Sequence, residues 1–259
     1  MNEKILLTND DGIHAAGLNA IEEDLESRGI PFFTAAPLYE NSGAGHSITL
    51  DKPLKIKKFS NNRFGVTGTP TDAVFLGLHE LLKEKPVFAV SGINKGGNLG
   101  NDITYSGTVA AAIETFYNGI TSFAVSLYIS DKESFCDDLF SIAAKVLFDT
   151  VIPDIEKKIE KNELYSKPYL FNINIPDTVL KKLDCSIRWT VLGKRLYGGE
   201  VIKRIDPRGG EYYWIGGNQH LFEDIAGSDC NAVSEGFISI TPLKLSFSDH
   251  ALLDKLKNN

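Results

Sequence analysis

The sequence predicts an α/β fold: a Rossmann-like, mostly parallel sheet with helices on both faces, plus a β-rich C-terminal extension. Two observations predict it. Short apolar runs alternate with segments of helical periodicity through the first half of the chain, and such alternation implies a parallel sheet covered on both faces. After about residue 180 the texture changes to SIRWTVL, EYYWIGG and FISITPL, β-rich stretches joined by glycine-rich turns.

The elements follow in order. Lys4–Thr8 reads as a buried strand, and Ala16–Ser27 as a helix with Leu18, Ile21 and Leu25 on one face, ending near Gly29. Pro31–Ala36 is a second strand; Leu54–Lys58 and Arg63–Thr67 are short ones. Pro70–Leu82 is a helix with Pro70 near its first turn. Val87–Ser91 is a strand, Thr108–Tyr117 a helix and Ser122–Leu127 a strand; a helix covers roughly Ser134–Asp149, and Tyr169–Ile173 is another strand. Asp249–Leu256 closes the chain as a short helix. The expected organisation is one α/β domain over 1–259, its core about 1–180 and a β-rich extension about 181–259, of a kind that caps the site or makes a subunit contact.

The 259 residues carry a formal net charge of −7, which argues against sequence-independent binding to a nucleic-acid duplex. A small anionic substrate is compatible with it, because charge at a site can oppose the global sign. No apolar run approaches transmembrane length and the start has no signal-peptide core, so a soluble cytoplasmic protein with no membrane contact is expected. Cys136, Cys185 and Cys230 are widely spaced without a C-x-x-C, which disfavours zinc or a disulfide framework.

The stretch 8-TNDDG-12 sets Asp10 and Asp11 side by side after the first strand. Ligands of open α/β sheets bind outside the carboxyl ends of the strands. One reading is that one Asp caps the next helix and the other is solvated. Two adjacent acids near a sheet edge repel each other, and a divalent cation between them resolves the conflict. Further oxygen donors stand at other strand ends. The loop after the second strand carries Asn41, Ser42, His46 and Ser47 among glycines. After Val87–Ser91 come Asn94, Lys95, Asn98, Asn101 and Asp102, and then Ser106-Gly107-Thr108 at a helix start. A helix amino terminus offers free N–H groups and partial positive charge, so this is a candidate phosphate cradle; Ser106 as a plain N-cap is compatible with it. Carboxylates, a hydroxyl and an amide suit Mg²⁺, Mn²⁺ or Ca²⁺. No Walker loop and no G-x-G-x-x-G after a strand occurs. A metal beside a phosphate cradle points to hydrolysis of a phosphomonoester.

Together the motifs TNDDGIHAAG, NSGAGHSITL, 66-VTGTPTDAV-74, SGINKGGNLGNDITYSGTVAAA, 171-FNINIP-176, 206-DPRG-209, 213-YWIGG-217 and 229-DCNAVSEGFISITPL-243 resemble the SurE, or survival-protein-E, nucleotidases. The resemblance runs over most of the chain. It implies a metal-dependent phosphatase acting on nucleoside 5′- and 3′-monophosphates, able to trim short polyphosphate. It also implies a homodimer or tetramer assembled partly through exchanged arms. Carried onto this chain, it makes Asp10, Asp11, Ser42 and Asn94 the ligands of one divalent ion per subunit and Ser106, Gly107 and Thr108 the phosphate site. The family often has Pro where this chain has Ala16, and commonly an acidic residue where it has Leu38; the latter change bears on the pocket entrance.

Asp10 is the firmer metal ligand and Asp11 the favoured group to orient or deprotonate water; either assignment stays open at this point. His46, Lys95 and Asn98 are candidate substrate contacts, with a structural loop hydrogen bond as the alternative for His46. Tyr39, Tyr105 and Tyr197 are candidates to pack against the base. Rival readings are a nucleoside N-glycosidic hydrolase, which has no need of a phosphate cradle, and a non-catalytic nucleotide sensor, which has no need of a metal-water site. A phospho-aspartate mechanism built on D-x-D spacing fits adjacent aspartates poorly.

Overall fold

The computed structural model describes residues 4–131, 133, 135–164, 168–182, 185–196, 201–215, 221–246 and 248–257. In chain order the first half holds β1 (Ile5–Thr8), α1 (Ala16–Ser27), β2 (Phe32–Pro37), β3 (Ile56–Ser60), β4 (Arg63–Val66), α2 (Pro70–Leu76), β5 (Ala89–Lys95), α3 (Gly107–Tyr117) and β6 (Ser122–Tyr128). It continues with α4 (Asp138–Val146), α5 (Ile152–Lys161), β7 (Leu170–Pro176) and α6 (Asp177–Lys182). The remainder is β8 (Ile187–Trp189), β9 (Arg195–Leu196), β10 (Val201–Ile205), β11 (Glu211–Ile215), β12 (Leu221–Phe222), α7 (Asp229–Ser234), β13 (Ile238–Pro242) and α8 (His250–Lys257).

Nine strands form one sheet in the order β3-β4-β2-β1-β5-β6-β7-β13-β8. From β4 through β7 every pairing is parallel. In β1, Ile5 and Leu7 face one layer while Leu6 faces the other, the period-two alternation of a strand buried on both sides. Leu18, Ile21 and Leu25 of α1 and Leu139 and Phe140 of α4 cover the first face. Val74 of α2 and Ala111 of α3 cover the second. The chain leaves β1 towards β2 and later returns to place β5 on the other side of β1, so the topology switches direction between β1 and β5. That switch point is where an open α/β sheet leaves a crevice for ligands.

Three expectations change in detail. β5 does not stop at Ser91 but resumes its ladder with β6 at Asn94 and Lys95, across a register shift. The helix expected over Ser134–Asp149 begins at Asp138 within the described residues and continues to Lys161 through a π turn, Leu147–Val151. Pro153 lies in the first turn of α5, where a missing N–H costs nothing, so it does not end the helical run. Lastly, the late strands are more than an antiparallel add-on. β13 extends the central sheet antiparallel to β7, and β8 pairs parallel to β13. Among the described residues β10–β11 and β9–β12 stand as separate antiparallel pairs. No helix among the described residues is long and apolar enough to cross a membrane.

Candidate functional site

Asp10 and Asp11 emerge from β1 at the switch point, opposite the end of β5. Gly17 allows that closeness from the helix side: a Cβ there would stand 2.0 Å from the Ile93 carbonyl oxygen. A cleft of about 630 Å³ opens at this corner. Asp10, Asp11, Ser42, Asn94, Lys95, Asn98 and Ser106 all line it, so residues from four separate segments converge. The loop carrying Ser42 is tied down at its far end by Asp72, whose carboxylate accepts from Thr49 N and Oγ1 while completing a capping box with Thr69.

Asp10 is 4% exposed, which removes solvation as its role, and the N-cap of α1 is Ala15 with no side-chain hydrogen bond to the helix end, which removes capping of that helix. Its partner is α3 instead. Thr108 Oγ1 donates to Asp10 Oδ1 at 2.5 Å, and the Thr108 N–H also donates to the carboxylate. Gly107 packs directly on it: a Cβ at that position would meet Asp10 Cβ at 2.7 Å and Oδ2 at 2.9 Å. The positive end of α3 thus holds the Asp10 carboxylate. Burial nevertheless raises the Asp10 pKa, the hydrogen bonds from Thr108 acting the other way.

Asp11 is half-buried and accepts the backbone N–H of Lys95. Burial, and next the charge of Asp10, push it up to about 6. Among the described residues neither aspartate has a Lys, Arg or His ion-pair partner. Asn94 donates Nδ2 to the Gly96 carbonyl at 2.7 Å, which commits its amide nitrogen and leaves its carbonyl oxygen as the donor atom for a cation. Ser42 hydrogen-bonds Glu40 at 2.9 Å. Two unpaired carboxylates with an amide and a hydroxyl oxygen form a hard-cation donor set. No group of three or more His, Cys, Asp or Glu of metal-holding geometry exists among the described residues, so the set depends on the neutral oxygens.

The other expected site residues fall differently. Ser106 caps α3 by accepting from Val109 N at 3.1 Å and lines the cleft as well, so the two readings of it coincide. Gly107 and Thr108 are buried behind Asp10, and the Thr108 hydroxyl, expected at the phosphate, is engaged by that carboxylate. His46 is exposed and pairs with Glu114 at 3.0 Å, beside Tyr117, outside the cleft lining. The Asn98 backbone is clamped. Its N–H donates to Asn174 Oδ1 at 2.9 Å, and its carbonyl accepts from Asn172 and Asn174 at 2.8 and 2.9 Å. Tyr105 lines the cleft at 66% exposure, Tyr39 borders a separate surface groove, and Tyr197 lies outside the described residues. Leu38 packs against Gly65 and away from the cleft, whereas Ala16 lines it.

Sequence reasoning named Asp102 only as one polar residue of its loop and missed Glu40, Asp137 and Phe140; all four line the cleft. Glu40 and Asp102 lie inside segments already singled out. Asp137 and Phe140 follow β6, the next parallel strand, whose carboxyl end was a legible place to look.

The chain can be set beside known proteins on this geometry. The family profile "Survival protein SurE" matches residues 5–199. The 5′-nucleotidase SurE of Geotalea uraniireducens is 46% identical over 254 residues, covering 98% of both chains. That of Geobacter sulfurreducens is 43% identical over 254 residues, covering 98% of this chain and 92% of the relative. The crystal structure of the SurE protein from Aquifex aeolicus superposes with a TM-score of 0.77 at 38% identity, over 98% of each chain. Likeness of that extent, in sequence and in fold, is decisive: the chain belongs to the SurE family.

Proposed function

We propose that the cleft hydrolyses nucleoside 5′-monophosphates to nucleoside and inorganic phosphate, with one divalent cation per subunit held by Asp10, Asp11, Ser42 and Asn94. One observation carries the reading: two adjacent carboxylates, neither with a Lys, Arg or His ion-pair partner among the described residues, stand at the switch point of the sheet, Asp10 held there by the first turn of α3. The names of the relatives, 5′-nucleotidase SurE, support the substrate class. The charge balance supports the cation. Among the described residues Asp10, Asp11, Glu40 and Asp137 line the cleft with one ammonium, that of Lys95, while Asp102 is paired with Arg195, a field that repels a phosphate monoester unless further positive charge is bound.

A divalent ion in such a site, Mg²⁺ or Mn²⁺ on its oxygen donors, neutralises phosphate charge and lowers the pKa of a bound water. The protein's own groups do the rest. Asp10, locked by Thr108 and Gly107, is the fixed oxygen donor. Asp11, less buried, orients the attacking water and takes its proton. The water oxygen bonds to phosphorus, the ester P–O bond breaks, and the ribose oxygen leaves and takes up a proton. The Ser106 hydroxyl, which lines the cleft, faces the phosphoryl oxygens as charge moves onto them. All these contacts fall on the phosphoryl group, so the reading extends to 3′-monophosphates and the terminal phosphate of short polyphosphate.

The reading includes a homodimer or tetramer. The β10–β11 hairpin exposes Ile205, Tyr213 and Trp214, and α8 exposes Leu252 and Leu256, apolar area of the kind that subunit contacts cover.

The test is phosphate release from 5′- and 3′-AMP with Mn²⁺ or Mg²⁺ and with EDTA, with products separated. Metal-dependent release of phosphate and adenosine is expected. Release of free adenine would instead mean glycosidic hydrolysis, and binding without turnover would mean a sensor.

A further inference from the structure

A second cavity of about 490 Å³ lies beside the aspartate cleft, lined by Lys95, Gly97, Tyr128, Ile129, Phe135 and Arg195. Its character is opposite to that of its neighbour. Among the described residues no carboxylate lines it; two aromatic rings, an isoleucine and two cations do. Lys95 and Gly97 belong to both cavities.

The partition between them is built from pairs, each with one member on either side. Gly97 lies against Tyr128, so closely that a Cβ would stand 2.9 Å from the ring. Phe140 of the aspartate cleft meets Phe135 edge to face at 5.7 Å between ring centres. Asp102 of the aspartate cleft pairs with Arg195 at 3.5 Å, and Asn101 accepts the Arg195 N–H at 2.7 Å. Lys95 spans the divide: its backbone N–H reaches Asp11, and its ammonium sits over the Phe135 ring at 3.9 Å. A molecule occupying both cavities therefore has an anionic, metal-seeking end and a flat aromatic end, joined by a linker lying over Lys95 and Gly97.

We infer that the Tyr128–Phe135–Arg195 cavity is the nucleobase subsite, with the ribose crossing Lys95 and Gly97; this rests on the phosphomonoesterase reading of the adjacent cleft. A base offers two π-faces, which aromatic rings and a guanidinium plane accept by stacking. The contacts are face contacts to a π-system, so the subsite favours the presence of a base over its absence more than one base over another. Tyr105, exposed at the opposite side of the aspartate cleft, is the rival platform.

The experiment compares AMP with ribose 5-phosphate, which has the same phosphoryl group and sugar but no base. The ratio of their kcat/KM values with Mn²⁺ is measured for wild type, Phe135→Ala, Phe135→Leu and Tyr105→Ala. Thermal melts check that each variant folds, and Phe135→Leu keeps apolar volume while removing the ring. The ratio is expected to fall about tenfold in both Phe135 variants, through the KM for AMP, and to hold in Tyr105→Ala. Adenosine is expected to inhibit wild-type hydrolysis of ribose 5-phosphate about tenfold better than that of Phe135→Leu. A ratio that stays at the wild-type value in both Phe135 variants, or falls only in Tyr105→Ala, overturns the assignment. If wild type releases phosphate from neither ester, the phosphatase reading has failed. Calorimetric binding of adenosine to wild type and Phe135→Leu then still decides the subsite, supporting it if the variant is weaker and overturning it if the two are equal.

Discussion

Thr108 Oγ1 donates to Asp10 Oδ1 at 2.5 Å across 98 residues of sequence. The bond ties the first turn of α3 to the carboxylate that ends β1, and it opposes the rise in pKa that burial imposes on Asp10. Thr108→Val is nearly isosteric and removes only the donor. It is expected to destabilise the metal-free protein by about 1–3 kcal/mol, because a buried carboxylate loses a partner. Mn²⁺ affinity should fall as well, since Asp10 then holds its proton more readily. Urea unfolding in EDTA and a Mn²⁺ titration check this; Thr108→Ser, which keeps the hydroxyl, should stay near wild type in both.

Gly107 is the steric counterpart of that bond. An alanine methyl would press on Asp10 Cβ at 2.7 Å and Oδ2 at 2.9 Å, and neither the strand end nor the helix can yield without moving the carboxylate. Gly107→Ala is expected to lower kcat/KM for AMP about 100-fold and to cost about 1–3 kcal/mol of stability. Steady-state kinetics beside urea unfolding would show it. A variant as active as wild type would mean that Asp10 is not held to a narrow position.

Asp11 supplies a pH signature. Its pKa is about 6 in the fold against about 3.9 in the unfolded chain. Between those values the folded metal-free protein holds a proton that the unfolded chain has released, so stability falls as pH rises through that window. A bound cation needs the deprotonated carboxylate and reverses the effect. The melting temperature gained on adding Mn²⁺ should therefore be larger at about pH 7.5 than at about pH 5. A gain that is equal at both would place the metal away from Asp11.

How far the sequence reaches is clearest at particular residues. The α1 boundaries, Ala16 to Ser27, coincide with the structure, because Leu18, Ile21 and Leu25 mark a face that the core buries completely. Asp10, Asp11, Ser42, Asn94 and Ser106 lie at or beyond the carboxyl ends of parallel strands, which marks their segments in the sequence, but the resemblance to the SurE family is what picks out the ligand set from the other polar residues there. Two kinds of information were not legible. Thr108 belongs to a phosphate-like motif locally, but only the packing of α3 on β1 shows that its hydroxyl faces Asp10. Phe135 falls inside the helix expected over Ser134–Asp149 but lies ahead of α4, and nothing local says that it meets Phe140 and Lys95. His46 is a third case: a loop position read as a site contact or as a structural hydrogen bond pairs with Glu114 on α3.

Asn174, with Asn172, links FNINIP to the Asn98 backbone at the cleft. Its side chain accepts the Asn98 N–H and donates to the Asn98 carbonyl, each at 2.9 Å, in a fully buried setting. Asn174→Ala leaves those backbone groups with fewer partners, at a cost of about 2 kcal/mol or more. The loosened Asn98 segment should lower kcat/KM about tenfold without abolishing Mn²⁺ binding. Urea unfolding, kinetics and a metal titration separate these effects; lost metal binding would contradict a purely positioning role.

The central claim is that Asp10 and Asp11 form a hydrolytic metal site, and the most direct measurement is phosphate release from AMP at saturating Mn²⁺ by wild type and Asp10→Asn. The substitution keeps shape and removes charge. A fall in kcat of about 1,000-fold or more in a variant that still folds is predicted, as befits loss of a group that holds charge in the transition state. Turnover within a few-fold of wild type would contradict the account and move the chemistry away from TNDDG.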